Sequence, residues 1–173
     1  LKLSFNVTPD QLLDPLFIEH FVAKISQANL NPSQLVIEIT ERQPISDIQA
    51  ALRVSRELSE LGVRLALDDA GTGHNGLSSL HALQAHYLKI DKYFVDGVVL
   101  DRKSSALVEA LISLAKQFGM EVVAEGIETE EQRIKLLDLG IREGQGYLFA
   151  KPLSASDLIA KAEQNPSLMP QAA

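Results

Sequence analysis

The chain of 173 residues, 46% hydrophobic and 23% charged, has the composition of a globular domain that can bury a sizeable core. Its net charge of -7 opposes non-specific binding to a nucleic acid polymer or an anionic membrane surface, because both depend on excess lysine and arginine. The absence of cysteine excludes disulfides and thiolate metal sites and fits a reducing compartment. No apolar run approaches the roughly 20 residues that span a bilayer, and no signal peptide is visible. We therefore expect a cytoplasmic domain, either free or attached to a membrane-anchored parent.

Six strand-like runs follow one another along the chain, each largely apolar or β-branched and each with a polar or acidic residue near an end. They are LSFNVT at 3–8, LVIEITE at 35–41, RLALDDAGTG at 64–73, HYLKIDK at 86–92, EVVAEGIE at 121–128 and EGQGYLF at 143–149.

Helix signals fill the intervals between these runs. Thr8 and Gln11 form a capping box ahead of a helix over residues 9–28, which Pro15 can interrupt. The other predicted helices run from a cap at Ser46 to Gly62, over residues 107–118 before Gly119, from the capping box of Thr129 and Gln132 to Gly140, and over residues 155–162. The helix over 107–118 has the clearest apolar stripe, formed by Leu107, Ala110, Leu111, Leu114, Ala115 and Phe118.

Strand and helix alternate throughout, an order that calls for parallel strands joined by right-handed crossovers. Polar residues at nearly every strand end favour a (β/α) barrel over an open doubly wound sheet, because only in a barrel do all strand ends converge on one mouth. A full barrel has eight strands. We therefore predict an incomplete TIM-like α/β barrel over residues 1–165, truncated at its N-terminal side. The polar segment 166–173 is expected to form a disordered tail.

Asp68 and Asp69 lie side by side at the end of a buried strand, directly before the turn at Gly71. Two like charges there are unfavourable unless a cation neutralises them. The alternative is that the pair builds a turn and caps the following helix.

The other polar residues at the strand ends also have structural interpretations. Lys89 can extend from an apolar strand to solvent, and Glu125 and Glu128 can favour a helix N-terminus. Asn6 and Gln145 can satisfy backbone groups. Independent structural needs would not place all of these groups at one mouth, so we favour a functional site.

Five strings occur in order over nearly the whole chain. They are EITE at 38–41, DDAGTG at 68–73, LKID at 88–91, AEGIET at 124–129 and QGYLFAKP at 145–152. Together they resemble the motifs of the EAL-domain family, bacterial phosphodiesterases of cyclic di-GMP. The resemblance implies a barrel that hydrolyses cyclic di-GMP to the linear dinucleotide pGpG with two divalent cations, Mg²⁺ or Mn²⁺.

The resemblance also implies a role for each matched residue. The implied metal ligands are Asn6, Glu38, Asp68, Asp69 and Asp91, with Asp68 bridging both ions and Asp91 acting directly or through water. Glu125 resembles the general base, and Lys89 would orient the attacking water or a phosphate oxygen. Gln145 matches a substrate-binding position, and Glu41 and Glu128 resemble acids that support the loop after Asp69.

Two departures from the family pattern stand out. Ala70 and the string His74-Asn75-Gly76 replace the usual aromatic and Tyr-Ser-Ser-like residues of a loop that the family associates with metal coordination and dimer coupling. No Glu-Ala-Leu motif precedes Asn6, so one carboxylate ligand is missing. We expect the chain by itself to hydrolyse cyclic di-GMP poorly or not at all, and an intact parent to be active.

Three functions fit these observations to different degrees. A metal-dependent phosphodiesterase is favoured because the matched acids are retained. The alternative is a catalytically inactive cyclic di-GMP receptor that acts through a protein partner. An unrelated metal-dependent barrel enzyme, such as a lyase, is disfavoured by QGYLFAKP. The resemblance further implies a homodimer and a sensory, membrane or diguanylate cyclase module in the parent protein.

Overall fold

The computed structural model describes residues 2–40, 44–70 and 83–164. Its strands are β1 (Leu3–Val7), β2 (Leu35–Thr40), β3 (Arg64–Ala70), β4 (Tyr87–Ile90), β5 (Glu121–Ala124) and β6 (Glu143–Gly144). Neighbouring strands pair in parallel, and their order in the sheet is their order in the chain. This order has no reversal point of the kind that defines a doubly wound sheet, and it confirms the predicted barrel type.

The helices lie between the strands as predicted. In the described part of the chain they are α1 (Pro9–Leu12), α2 (Phe17–Gln27), α3 (Ile48–Glu60), α4 (Lys92–Gly97), α5 (Arg102–Gln117), α6 (Glu130–Asp138) and α7 (Ala155–Gln164). Both predicted capping boxes are present, at Thr8 and at Thr129, and Pro15 lies in the break between α1 and α2. Among these helices none has the length and apolar character needed to cross a bilayer.

The sheet curls strongly, and contacts between distant strands show it. In a flat sheet β1 and β6 would lie about 24 Å apart, since adjacent strands are about 4.8 Å apart. Instead Nζ of Lys2, beside β1, lies 3.6 Å from Oε1 of Glu143 in β6. The same ammonium donates a hydrogen bond of 2.6 Å to the hydroxyl of Tyr87 in β4. The strands therefore form an open barrel whose first and last members face each other.

The alternation of side chains along each strand separates two environments. Leu65 and Leu67 of β3 point outward into the main core beneath the helices, and so do Ile37 and Ile39 of β2. The residues between them point into the barrel, where Val36, Ala66 and Tyr87 pack together. The main apolar core therefore lies outside the sheet, and the interior holds this small cluster together with polar and charged groups.

Three local predictions were wrong in whole or in part: the cap of α3, the buried face of α5 and the length of β6. Asp47, not Ser46, caps α3, because its carboxylate accepts a 2.9 Å hydrogen bond from the N–H of Ala50. The predicted stripe of α5 is right in part, since Ala115 is buried and Leu111 and Leu114 pack against the main core. Leu107 and Phe118 are about half exposed, and Ser104, Val108 and Ile112 are buried in their place.

Strand β6 is only two residues long, although the run at 143–149 predicts a longer strand. Beyond Gly144 the backbone leaves the sheet and bends around Ile127, with which Gln145 and Leu148 form backbone hydrogen bonds. The N–H of Ile127 donates to the carbonyl of Gln145, and the N–H of Leu148 donates to the carbonyl of Ile127. The predicted tail at 166–173 lies outside the described residues.

His86 contributes stability that depends on pH. Its Nδ1 accepts a 3.2 Å hydrogen bond from the backbone N–H of Leu65. Burial and then the charge of Arg64 lower the pKa of His86, and Glu121 opposes this shift only in part. The folded state thus favours the neutral ring. This stability is complete above the unfolded pKa of about 6.5 and is lost as the pH falls below it.

Replacing His86 by Asn tests this expectation, because the Asn side chain keeps an acceptor near Nδ1 but does not titrate. From pH 8 to pH 5, we expect the free energy of unfolding of the wild type to fall relative to that of His86→Asn. Urea denaturation at several pH values measures it. A difference that stays constant over this range would contradict the assignment.

Candidate active site at the strand ends

A buried lysine lies at the centre of a group of carboxylates at the C-terminal ends of the strands. Nζ of Lys89 is 2.5 Å from Oε2 of Glu38, 3.0 Å from Oδ1 of Asp68 and 2.6 Å from Oε1 of Glu125. The three acids come from β2, from β3 and from the segment that follows β5. Lys89 lies on β4, between β3 and β5, so its ammonium reaches acids on or directly after both neighbouring strands and on β2 beyond β3.

The charges in this group shift one another's pKa values. Burial lowers the pKa of Lys89, but hydrogen bonds to Glu125 and Glu38 and the charge of Asp68 outweigh it and raise the pKa above its usual value. Burial raises the pKa of Glu125; Lys89 opposes this rise, whereas Asp68 and Glu38 add to it. Lys89 therefore stays charged, and Glu125 is a stronger base than an exposed glutamate.

Asp69 adds a fourth carboxylate at the end of β3. It adopts a left-handed backbone conformation with φ +59°, which is uncommon outside glycine and is frequent at functional sites. Its N–H donates a 3.0 Å hydrogen bond to Oδ1 of Asp68.

The oxygens of this region fit a divalent cation. One carboxylate oxygen from each of Asp68, Asp69 and Glu125 lies within 4.8 Å of the other two. Two oxygens on opposite sides of one Mg²⁺ are about 4.2 Å apart, because each bond is about 2.1 Å long. An all-oxygen donor set is the type that Mg²⁺ and Mn²⁺ prefer.

The remaining predicted ligands, Asn6, Glu38 and Asp91, each lie near the C-terminal end of a strand. Asn6 is exposed and pairs in register with Glu38 on the neighbouring strand, so both residues face the same side of the sheet. Asp91 caps α4, where its Oδ1 accepts a 2.7 Å hydrogen bond from the N–H of Tyr93. Across residues 2–40, 44–70 and 83–164, Glu38 and Asp91 fall outside the group of acids with mutually close oxygens.

Gln145 lies against the proposed base. Its Nε2 donates a 2.8 Å hydrogen bond to Oε1 of Glu125, the oxygen that also contacts Lys89. The following residue has to be glycine, because a Cβ at Gly146 would lie 2.2 Å from the backbone N and O of Ile127. This close approach holds Gln145 at the mouth of the barrel.

Glu128 contacts a lysine that no sequence pattern singled out. Oε1 of Glu128 lies 3.0 Å from Nζ of Lys92, the first residue of α4. A single lysine after a helix cap has no motif of its own, although its position next to Asp91 is a usable signal. Glu41 and the string His74-Asn75-Gly76 lie outside the described residues, so their predicted roles stay predictions.

The sequence contains one Glu-Ala-Leu string, at residues 109–111. It lies in the middle of α5, and Glu109 is exposed. Glu109 lies in the outer layer of helices, so it is not the strand carboxylate that the resemblance implies for a Glu-Ala-Leu motif.

Comparison with known proteins agrees with the motifs and the geometry. The EAL domain matches residues 1–152. This chain belongs to the EAL domain family. It is 36% identical over 153 residues to the cyclic di-GMP phosphodiesterase RocR of Pseudomonas aeruginosa, covering 88% of this chain and 39% of RocR. The chain spans 19–39% of the length of the first curated relatives that it matches.

Solved EAL structures share the fold of this chain. The EAL domain of Mycobacterium smegmatis DcpA superposes with a TM-score of 0.90 at 35% identity, covering 95% of this chain and 74% of that one. The manganese and cyclic di-GMP complex of Klebsiella pneumoniae BlrP1 has a TM-score of 0.79 at 34% identity, covering 87% of this chain and 39% of that one. The open barrel is thus the fold of EAL domains, and the family resemblance is confirmed.

Removing the ammonium group of Lys89 should destabilise the protein. In Lys89→Met the buried carboxylates of Glu38, Asp68 and Glu125 lose their shared partner. We expect the free energy of unfolding to fall by about 3–5 kcal/mol. Urea denaturation at pH 8 with EDTA measures this loss. The matched variant Lys24→Met, at an exposed position in α2, should change stability by no more than about 0.5 kcal/mol. Equal stability of the two variants would show that Lys89 does not balance the acids.

Proposed function

We propose that this chain is part of a metal-dependent phosphodiesterase that hydrolyses cyclic di-GMP to linear pGpG. The observation that carries the proposal is the placement of Glu38, Asp68 and Glu125 around Lys89 at the mouth of an EAL barrel. The names of the relatives support the substrate, since RocR is a cyclic di-GMP phosphodiesterase and BlrP1 was solved with manganese and cyclic di-GMP.

We assign two divalent cations, Mg²⁺ or Mn²⁺, to the oxygens at the strand ends. Asp68 and Asp69 supply two of the three carboxylate oxygens that lie within 4.8 Å of one another, and Asn6, Glu38 and Asp91 would be the further donors. When bound, such cations neutralise charge on the phosphate and lower the pKa of water, so that it loses a proton more readily and becomes a nucleophile.

The residues of the chain perform the proton transfer and the positioning. Glu125, whose pKa burial raises, takes a proton from the attacking water, and the water oxygen forms the new bond to phosphorus. The bond from phosphorus to the 3′ oxygen breaks, that oxygen takes a proton from solvent to become a hydroxyl, and Glu125 returns its proton to solvent. Lys89 and Gln145 both contact Oε1 of Glu125 and so hold its carboxylate in one orientation.

No described feature favours the inactive receptor over the enzyme, since the acids that such a receptor would lose are present and grouped. The homodimer, the attached module, the cytoplasmic location and the slow turnover of the 173-residue chain by itself stay predictions.

Replacing Glu125 by Gln separates the enzyme from the receptor. We expect kcat of the full-length gene product with cyclic di-GMP and Mn²⁺ to fall by about 100-fold or more, because Gln cannot accept the proton. Cyclic di-GMP should still bind. The control is Glu109→Gln, at an exposed position in α5, which should leave turnover unchanged. Full turnover by Glu125→Gln would refute the proposed base.

Metal removal tests the second part of the proposal. Dialysis against EDTA should abolish turnover, and Mn²⁺ should restore it. Asp69→Asn should weaken Mn²⁺ binding, measured by calorimetry, because an amide oxygen carries no charge, whereas Asp138→Asn at the exposed end of α6 should not. Turnover that survives EDTA would exclude the metal-dependent mechanism.

A further inference from the structure

Lys92 connects α4 to the segment that carries Glu125. It is the first residue of α4 and directly follows Asp91. Its Nζ lies 2.6 Å from Oδ1 of Asp96, one turn further along the same helix, and 3.0 Å from Oε1 of Glu128. One ammonium therefore joins a helix to the segment after β5.

The aliphatic part of Lys92 covers Gly126. A Cβ at Gly126 would lie 2.5 Å from Cγ and 2.6 Å from Cβ of Lys92, closer than side-chain atoms can approach. Gly126 also has a left-handed conformation with φ +68°. The side chain of Lys92 thus lies directly on the backbone next to Glu125, in the space that a larger residue at 126 would fill.

Backbone contacts fix the segment on both sides of Gly126. The N–H of Glu125 donates to the carbonyl of Ile90, and the N–H of Ile127 donates to the carbonyl of Gln145, each at 3.0 Å. Between these two points the chain passes through glycine, the residue with the widest conformational freedom. Between these fixed points, side-chain contacts further restrict the conformation of Gly126, and Lys92 provides such a contact.

We propose that Lys92 is a positioning residue: its contact with Gly126 and its ion pair with Glu128 fix the backbone that carries Glu125, whose carboxylate Lys89 and Gln145 hold. The inference rests on the proposed function. Lys92 and Glu128 are both about half exposed, and such pairs contribute little to stability. The consequence of losing Lys92 should therefore appear in turnover rather than in the free energy of unfolding.

Three substitutions separate the parts of this role. Lys92→Met keeps an aliphatic chain over Gly126 and removes the ion pair, Lys92→Ala removes both, and Lys92→Arg keeps both. We expect Lys92→Ala to lower kcat for cyclic di-GMP by about 10- to 100-fold with KM nearly unchanged, because small displacements of a reacting group cost this much. Lys92→Met should lose less, and Lys92→Arg should retain most of the activity.

Asp96→Asn is the matched control, because it removes the other partner of the same ammonium and leaves the contact with Glu128. It should leave kcat and KM unchanged. The kcat of the double variant Lys92→Met with Glu128→Gln should be no lower than that of the less active single variant, since both substitutions break the same ion pair between Lys92 and Glu128. Unchanged kcat in Lys92→Ala, or additive losses in the double variant, would overturn the inference.

A readout without turnover keeps this inference distinct from the proposed function. Native-state hydrogen exchange of the full-length protein should show faster exchange of the Glu125 and Ile127 amides in Lys92→Ala than in Asp96→Asn, at equal melting temperatures. An inactive wild type with this exchange pattern would refute the phosphodiesterase and leave Lys92 as the support of the segment. Equal exchange in the two variants, or a lower melting temperature of Lys92→Ala, would refute the positioning role.

Discussion

The ion pairs of Lys89 are the constraint on which the rest of the structure depends. In a flat sheet, β2 and β5 would lie about 14 Å apart. Lys89 lies on β4 between these regions, and its ammonium contacts acids from both of them inside the curled sheet. Burying charges costs several kcal/mol per ion, and pairing the acids with Lys89 offsets that cost.

The apolar core on the outer face of the sheet supplies the burial that stabilises the fold. Leu65, Leu67 and Ile37 are fully buried against the helices, whereas Glu38 and Asp68, next to them along the same strands, point into the barrel. Strand alternation therefore separates stability from chemistry within single strands. The same strands thus supply both the apolar burial that stabilises the fold and the acids that Lys89 pairs.

Strong local chemistry made much of the fold predictable. The capping box at Thr129 and the apolar runs of β2 and β3 depend on neighbouring residues alone, and the structure has them as predicted. The buried face of α5 was predictable only in part, because Val108 and Ile112 form a second apolar series that competes with Leu107, and packing against the sheet decides between them. Likewise, β6 ends early because of hydrogen bonds to Ile127, a residue sixteen positions before Glu143.

The charge balance of the mouth supports two cations rather than one. Glu38, Asp68, Asp69, Asp91 and Glu125 bring five negative charges when ionised, and Lys89 returns one positive charge, which leaves four negative charges. A phosphodiester adds one more. A single divalent ion would leave a net charge of minus three beside the phosphorus that has to accept a nucleophile, whereas two divalent ions leave only minus one. In a site of low dielectric such imbalance is costly, and the count of carboxylates therefore favours the two-cation assignment.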